Sequence, residues 1–183
     1  MATISYQELL DAEAKGEALR RQPFLLLLLF LAAFFCLQYV WEMSRGTPVE
    51  RVVIDHATVA PAAYLIGTLW PEQPVTAQGN RIASPQGRLN VLNGCEGLES
   101  MFLLAAAFLA YPFPWKSRLS GLSQGVVLVY GLNQVRIVLL WQAFLLDRTL
   151  FGVLHGTVLP LALIAACLAF FLLFLARHEP RPA

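Results

Sequence analysis

One short segment of the chain, residues 93–100, places a cysteine at the predicted start of an apolar helix. Asn93 is suited to cap that helix, and Glu96, three residues later, can bond back to the N–H of the cap. Cys95 then falls in the first turn, where the helix dipole favours the thiolate, the nucleophilic form of cysteine. The carboxylates of Glu96 and Glu99 oppose this effect, so the chemistry requires a cation from elsewhere. The alternative is that Cys95 is a small buried apolar residue.

An arginine lies deep in a later apolar segment, in the sequence NQVRIVLL. Burying an arginine in a membrane helix costs about 2.5–3.5 kcal/mol, so Arg136 is expected to face the interior of a helix bundle or to reach the outer surface. Asn133 precedes it by three residues and therefore shares its helix face, where it can hydrogen-bond the guanidinium. The simplest alternative for Arg136 is contact with lipid phosphate.

A histidine opens the last apolar segment, in the sequence FGVLHGTVLP. His155 stands just before Thr157, a candidate helix cap, and before Pro160, which suits the first turn of a helix. A polar residue at the membrane interface is the alternative interpretation. His56 is a competing candidate for the same role, whereas His178 belongs to the predicted cytosolic tail and is excluded.

Cysteine, histidine and arginine together are suited to nucleophilic acyl transfer. A thiolate attacks a peptide carbonyl, a histidine takes the thiol proton and returns one to the leaving amine, and a cation stabilises the thiolate or the oxyanion. We therefore predict that Cys95, His155 and Arg136 are catalytic, with Asn93 and Asn133 in support. Arg136 would also supply the cation that the two glutamates make necessary.

The composition is that of a small integral membrane protein. Hydrophobic residues make up 57% of the chain and charged residues only 14%, and the apolar residues fall in long blocks. The predicted fold class is an all-α integral membrane helix bundle of about four transmembrane helices, with an outer interfacial helix and a small extracytoplasmic hairpin. The four predicted spans are residues 23–41, 98–113, about 119–146 and about 157–176.

Basic residues orient these helices, since short loops rich in Lys and Arg stay in the cytosol. They cluster before the first span, in the loop before the third and after the fourth. Residues 1–22 and 177–183 are therefore predicted to be cytosolic tails on either side of a membrane-embedded domain, residues 23–176. Residues 42–94 of that domain form its extracytoplasmic or interfacial segment.

Two parts of the outer segment lead toward the cysteine. Residues 52–70 are moderately apolar, and because a fifth crossing would break the charge pattern, they are expected to lie on the outer membrane surface or to form a re-entrant segment on that side. Residues 75–91 alternate short strand-like pieces with turn signals and predict a hairpin. This topology places Cys95, His155 and Arg136 together near the outer face.

Several other classes are not indicated. The net charge of +1 and the absence of a basic stripe interleaved with aromatic residues argue against a nucleic-acid partner. The three cysteines, Cys36, Cys95 and Cys167, are far apart and form no Cys/His cluster of metal-ligand spacing. Neither a metal, a cofactor nor a disulfide framework is therefore expected.

Three motifs in order resemble the exosortase and archaeosortase family of membrane-embedded sorting enzymes. They are CEGLES before one membrane helix, NQVRIVLL inside the next and LHG opening the last. The chain is most similar to the small exosortase H type, and the resemblance covers roughly residues 50–175. The family's catalytic roles carry over to Cys95, Arg136 and His155.

The resemblance implies a cysteine peptidase or transpeptidase. Its partners would be the membrane lipids and exported substrate proteins that end in a sorting tail, namely a short motif, a transmembrane helix and a basic end. The acceptor of the cleaved chain would be an amine, a lipid or water. The implied location is the inner membrane of the cell, with the site on its periplasmic face.

Three other classes remain open at this stage. In a non-catalytic scaffold or subunit, the polar residues would only hold helices together. A membrane thiol oxidoreductase would need a second outer cysteine. An aspartyl protease would need paired carboxylates, for which Asp55 and Asp147 are the remote candidates.

Overall fold

A computed structural model describes residues 22–91 and 94–178. Within these residues it contains five helices and one small three-stranded sheet, which confirms the predicted all-α membrane helix bundle. The sheet lies within residues 75–91, where a hairpin was predicted. The predicted tails lie outside the described residues up to residue 21 and from residue 179 onward. The elements are α1 Pro23–Met43, α2 Pro48–Leu69, β1 Thr76–Gln78, β2 Arg81–Ser84, β3 Gly87–Asn90, α3 Leu98–Ala110, α4 Trp115–Leu146 and α5 Arg148–His178.

Four of the described helices, α1, α2, α4 and α5, are long and apolar enough to cross a membrane. The prediction also gave four membrane spans, but not the same four, since α2 contains the stretch that was predicted to lie on the surface. The predicted second span is represented by α3, which has 13 residues and is therefore about 20 Å long. It ends early because Pro112 keeps Tyr111 out of the helical region, at a ψ of 137°.

The third predicted span begins earlier than expected. Helix α4 begins at Trp115, directly after Pro114, so the residues predicted to form a basic loop make its first turn. Its 32 residues give a length of about 48 Å, which exceeds the roughly 30 Å hydrocarbon core of a bilayer. Part of α4 therefore extends beyond that core.

The last helix also begins earlier than predicted. Asp147 caps α5, and its carboxylate accepts a hydrogen bond from the N–H of Thr149 at 2.7 Å. Thr157 consequently lies inside the helix, and the prediction that it is a cap is wrong. The helix continues through His178 rather than ending at residue 176.

Two helices contain a π-helical stretch that ends two residues before a proline. These are Val52–Val59 in α2, before Pro61, and Leu154–Val158 in α5, before Pro160. Proline has no N–H to donate, and in a regular helix its ring clashes with the carbonyl four residues earlier. The wider turn, with hydrogen bonds between residues five apart, relieves this conflict.

The three antiparallel strands pack against α2 and against the C-terminal part of α4. Ile82 and Leu89 of the sheet are buried in one cluster with Ile66 of α2 and Trp141 of α4. Val91, directly after β3, belongs to the same cluster. The sheet therefore anchors the chain just ahead of the predicted site.

A second buried cluster, rich in aromatic residues, joins α3, α4 and α5 near the start of α4. Gly121 permits this packing, because a Cβ there would lie 2.1 Å from the ring of Phe108. A Cβ at Gly125, one turn later, would lie 2.6 Å from the side chain of Leu104. These contacts press α3, and with it the loop before α3, onto α4.

Candidate active site

Cys95 lies in a tight loop that precedes α3. The helix begins at Leu98, with Gly97 in the left-handed conformation at φ 79° and without a side-chain cap. The prediction that the helix begins near Asn93 with Cys95 in its first turn is therefore wrong, and Asn93 itself lies outside the described residues. Gly94 also has a positive φ, of 89°, so Cys95 and Glu96 lie between two glycines in the left-handed region.

A glycine at position 97 is also required by packing. A Cβ there would stand 2.7 Å from Cγ of Asn133 and 2.9 Å from its Oδ1. The loop can therefore lie directly on α4 only because this side chain is absent. The thiol of Cys95 is buried in consequence, with 7% of the residue exposed.

The thiol and a histidine are in direct contact. Sγ of Cys95 lies 2.9 Å from Nε2 of His155, although 60 residues separate them in the chain. His155 belongs to the π-helical stretch of α5, and its ring stacks on Phe151 at a centroid distance of 5.4 Å and an interplanar angle of 13°. Phe151 in turn contacts Phe144 edge to face, so an aromatic chain orients the imidazole.

Two side chains of α4 hold the loop by its backbone. Nη1 of Arg136 donates to the carbonyl of Gly94, and Nδ2 of Asn133 donates to the carbonyl of Cys95, each at 3.2 Å. Asn133 was predicted to hold the guanidinium of Arg136, but the two side chains instead bind consecutive carbonyls. Both residues are buried, at 7% and 2% exposure.

The same side chains leave hydrogen-bonding capacity unused. In the part of the chain that the structure describes, Nε of Arg136 and Oδ1 of Asn133 are buried without a hydrogen-bond partner. An unsatisfied buried donor is costly, and in native proteins it often marks a group that acts on a ligand. Nε of Arg136 is therefore a buried donor that the described residues leave unpaired.

Glu96 was predicted to bond back to the helix cap and, by its charge, to oppose the thiolate. Its side chain is 7% exposed, and its Oε2 has no hydrogen-bond partner among the described residues. Within residues 22–91 and 94–178 the one ion pair is Arg45–Glu42, so Arg136 does not form a salt bridge with Glu96.

The thiol and imidazole border a small cavity, which we call the cleft. Its volume of about 20 Å³ is enough for about one water molecule. Strand β3 and the residue after it form one wall. The sequence predicted a hairpin leading toward Cys95, but it did not predict that residues of the hairpin would line the site. The lining residues are Leu89, Asn90, Val91, Cys95, Ile137, Leu140, Phe151 and His155.

The competing candidates lie elsewhere in the described structure. His56 is exposed on the π-helical stretch of α2 and does not line the cleft. Cys36 is exposed on α1, and the thiol of Cys167 contacts the carbonyl of Ser100 at 3.8 Å. Asp147 is engaged as the cap of α5.

Comparison with known proteins gives one match. The model of the family described as transmembrane exosortase matches residues 14–174, which is most of the chain. No curated protein and no solved structure matches the chain.

Proposed function

Because the chain belongs to the transmembrane exosortase family, as its motifs predicted, we propose that it is a membrane-embedded cysteine peptidase or transpeptidase. It cleaves the C-terminal sorting tails of exported proteins. The single observation that best supports this is the 2.9 Å contact between Sγ of Cys95 and Nε2 of His155. Nucleophile and base within hydrogen-bond reach are the arrangement that thiol catalysis requires.

The first half of the reaction makes a thioester. Nε2 of His155 accepts the thiol proton while Sγ of Cys95 bonds to the carbonyl carbon of the scissile peptide. When the tetrahedral intermediate collapses, the C–N bond breaks and His155 returns the proton to the leaving nitrogen. The C-terminal fragment departs, and the rest of the substrate stays on Cys95.

Arg136 is assigned to the charge that develops on the substrate oxygen. Its Nη1 is already committed to the carbonyl of Gly94, next to the nucleophile, whereas its Nε has no partner among the described residues. A fixed, buried donor of this kind stabilises an oxyanion without reorganising during the reaction. Asn133 serves the reaction indirectly, because it holds the carbonyl of Cys95.

The second half of the reaction releases the substrate. An amine, a lipid hydroxyl or water attacks the thioester carbon while Nε2 of His155 takes its proton. The C–S bond then breaks, and His155 returns that proton to the thiolate of Cys95. The cleft has room for about one water molecule, so a small nucleophile can approach the thiol.

The site is assigned to the outer face of the inner membrane. Arg136 stands 20 residues beyond Lys116 on α4, about 30 Å along the axis, which is the thickness of the hydrocarbon core. Lys116 is placed at the cytosolic end because basic residues next to membrane helices stay in the cytosol, and Arg177 in the last turn of α5 is placed there for the same reason. The sheet, which cannot lie open in hydrocarbon, packs near the opposite end of α4, where Ile82 and Leu89 are buried with Trp141.

The test is mass spectrometry of a tailed protein from the same genome, with a C-terminal motif, helix and basic end, co-expressed with the full chain. Cleavage at the motif is expected with the wild type and with the control Cys36→Ala, whose thiol lies on the exposed face of α1. It should be absent with Cys95→Ala. Added mass on the new C terminus would identify the acceptor.

A non-catalytic scaffold is the second candidate, since Arg136 and Asn133 each donate to the backbone of the Cys95 loop and so stabilise it. An intact tail with both the wild type and Cys95→Ala, each present as folded protein in the membrane, would favour this candidate and refute the peptidase.

A further inference from the structure

Helices α4 and α5 enclose a groove on the side that faces away from the rest of the bundle, which we call the α4–α5 groove. Its volume is about 140 Å³. Each helix contributes positions at spacings of three, four and seven, so one continuous face of each helix forms a wall. The lining residues are Leu132, Val135, Arg136 and Leu139 of α4, and Leu159, Ala162, Leu163 and Ala166 of α5.

The walls of the groove are those of a helix-packing surface. Val135 and Leu139 are 54% and 46% exposed, so apolar side chains stand open there. Ala162 and Ala166 lie four residues apart, the spacing of small residues that lets a second membrane helix approach closely. Helix α1 does not occupy this surface, since it packs against α3.

One charged side chain lines the otherwise apolar groove. Arg136 is 7% exposed, and its Nε is buried without a hydrogen-bond partner in the described part of the chain. Lipid acyl chains offer no acceptor to such a donor. The backbone carbonyls at the end of a peptide helix, and of the extended segment beyond it, do offer one.

The groove also leads to the cleft. Its outer end is Leu159, and His155 precedes Leu159 by four residues, about 6 Å along α5. Arg136 links the two sites directly, because it lines the groove and donates to the carbonyl before Cys95. A helix seated in the groove would therefore deliver the segment at its outer end to the thiol.

We propose that the α4–α5 groove is the docking site for the transmembrane helix of the substrate. This rests on the proposed function and specifies how that function selects its targets. The apolar helix packs on Ala162 and Ala166, and the extended segment beyond it brings the scissile carbonyl to Arg136, so that the bond to Arg136 is the one already assigned to the substrate oxygen. Binding energy from the helix thus positions the scissile peptide, which lies outside the helix.

A second groove in the molecule provides the control. It lies between α1, α3 and α5, has a volume of about 200 Å³, and is lined entirely by apolar residues and one cysteine. Ile164 lines it, two positions from Ala162 on the same helix, and so at nearly the same depth in the membrane. No charged side chain of the described residues lines this second groove.

The first experiment is photo-cross-linking in membranes that contain the full chain and an epitope-tagged tailed protein from the same genome. A benzophenone amino acid replaces Ala162 or, as the control, Ile164, in each case with Cys95→Ala to prevent turnover. An adduct with the tagged protein is expected at position 162 in about tenfold or greater excess over position 164. Equal yields, or adducts of lipid mass alone at both positions, would overturn the proposal.

The second experiment separates docking from chemistry. Filling the groove with Ala166→Phe should lower cleavage of the helix-bearing substrate about tenfold or more, while a short peptide with the motif and no helix is cleaved as by the wild type. Ile164→Phe is expected to leave both rates unchanged. Equal loss for both substrates in Ala166→Phe would refute a docking role.

The two proposals fail in different ways. If the tail is never cleaved, or is cleaved equally by Cys95→Ala, the proposed function fails, and cross-linking still decides whether a helix occupies the groove. If cleavage depends on Cys95 but positions 162 and 164 behave alike, the docking site is wrong and the function stands.

Discussion

Gly97 offers the sharpest test of how the loop positions the nucleophile. Alanine at this position would adopt a φ of 79°, a left-handed conformation that costs a non-glycine residue about 1–2 kcal/mol. Its Cβ would also stand 2.7 Å from Cγ of Asn133, so the two groups must separate by about 0.7 Å to reach ordinary contact at 3.4 Å. Because Asn133 holds the carbonyl of Cys95, this displacement passes to the thiol.

The expected result of Gly97→Ala is a kcat about 10- to 100-fold lower with the protein still folded, since a misplacement of about 1 Å costs on the order of 10² in rate. Single-turnover cleavage of the tailed substrate measures the rate, and thermal unfolding of the purified chain measures the stability. Gly94→Ala is the first control, because its φ is 89° but no atom lies within 4 Å of the added Cβ. It should show the backbone strain without the collision.

Gly131→Ala, a position on α4 where the added Cβ also meets nothing within 4 Å, is the second control and should leave the rate unchanged. If Gly97→Ala cleaves as fast as Gly131→Ala, the close contact between the loop and α4 does not position the thiol. If Gly94→Ala is impaired as strongly as Gly97→Ala, strain rather than contact with Asn133 is responsible.

Two further substitutions test the other members of the site. Arg136→Ala should lower kcat about 10²- to 10³-fold, which is the effect of losing one oxyanion donor. Arg136→Lys should not restore the rate, because lysine lacks the planar guanidinium. Near-normal turnover of either variant would exclude Arg136 as the oxyanion donor. Phe151→Leu removes the ring on which His155 stacks, a contact worth about 0.5–1.5 kcal/mol, and should lower kcat about 2- to 10-fold with KM little changed. A change confined to KM would place Phe151 in substrate binding instead.

The convergence of the three polar residues was predictable from the sequence because it depends on chain order and membrane geometry alone. Cys95 precedes one helix, Arg136 lies late in the next and His155 lies early in the last, so helices that alternate in direction bring all three to one side. The hairpin was predictable for a similar reason, since its turns have local signals at Gly79 and Gly87. The roles of these side chains in catalysis are still predictions.

The local details depended on contacts that a sequence does not reveal. The start of α3 was misplaced because Asn93 and Glu96 fit a capping pattern, whereas Gly97 adopts its left-handed conformation under the side chain of Asn133. The start of α5 has a local signal in Asp147, two residues before Thr149, whereas Thr157, which was predicted to cap the helix, lies inside it. The stacking of Phe151 on His155 follows from their spacing of four on a helix.

The π-helical stretch of α5 has a geometric consequence for how one helix serves two sites. In an uninterrupted α-helix, positions 155, 159, 162 and 166 would share one face. The wide turn at Leu154–Val158 adds about one residue, so the part of α5 before it is rotated by about 100° relative to the part after it. Phe151, before this turn, and His155, within it, thus line the cleft beside β3, whereas Ala162, after it, lines the α4–α5 groove.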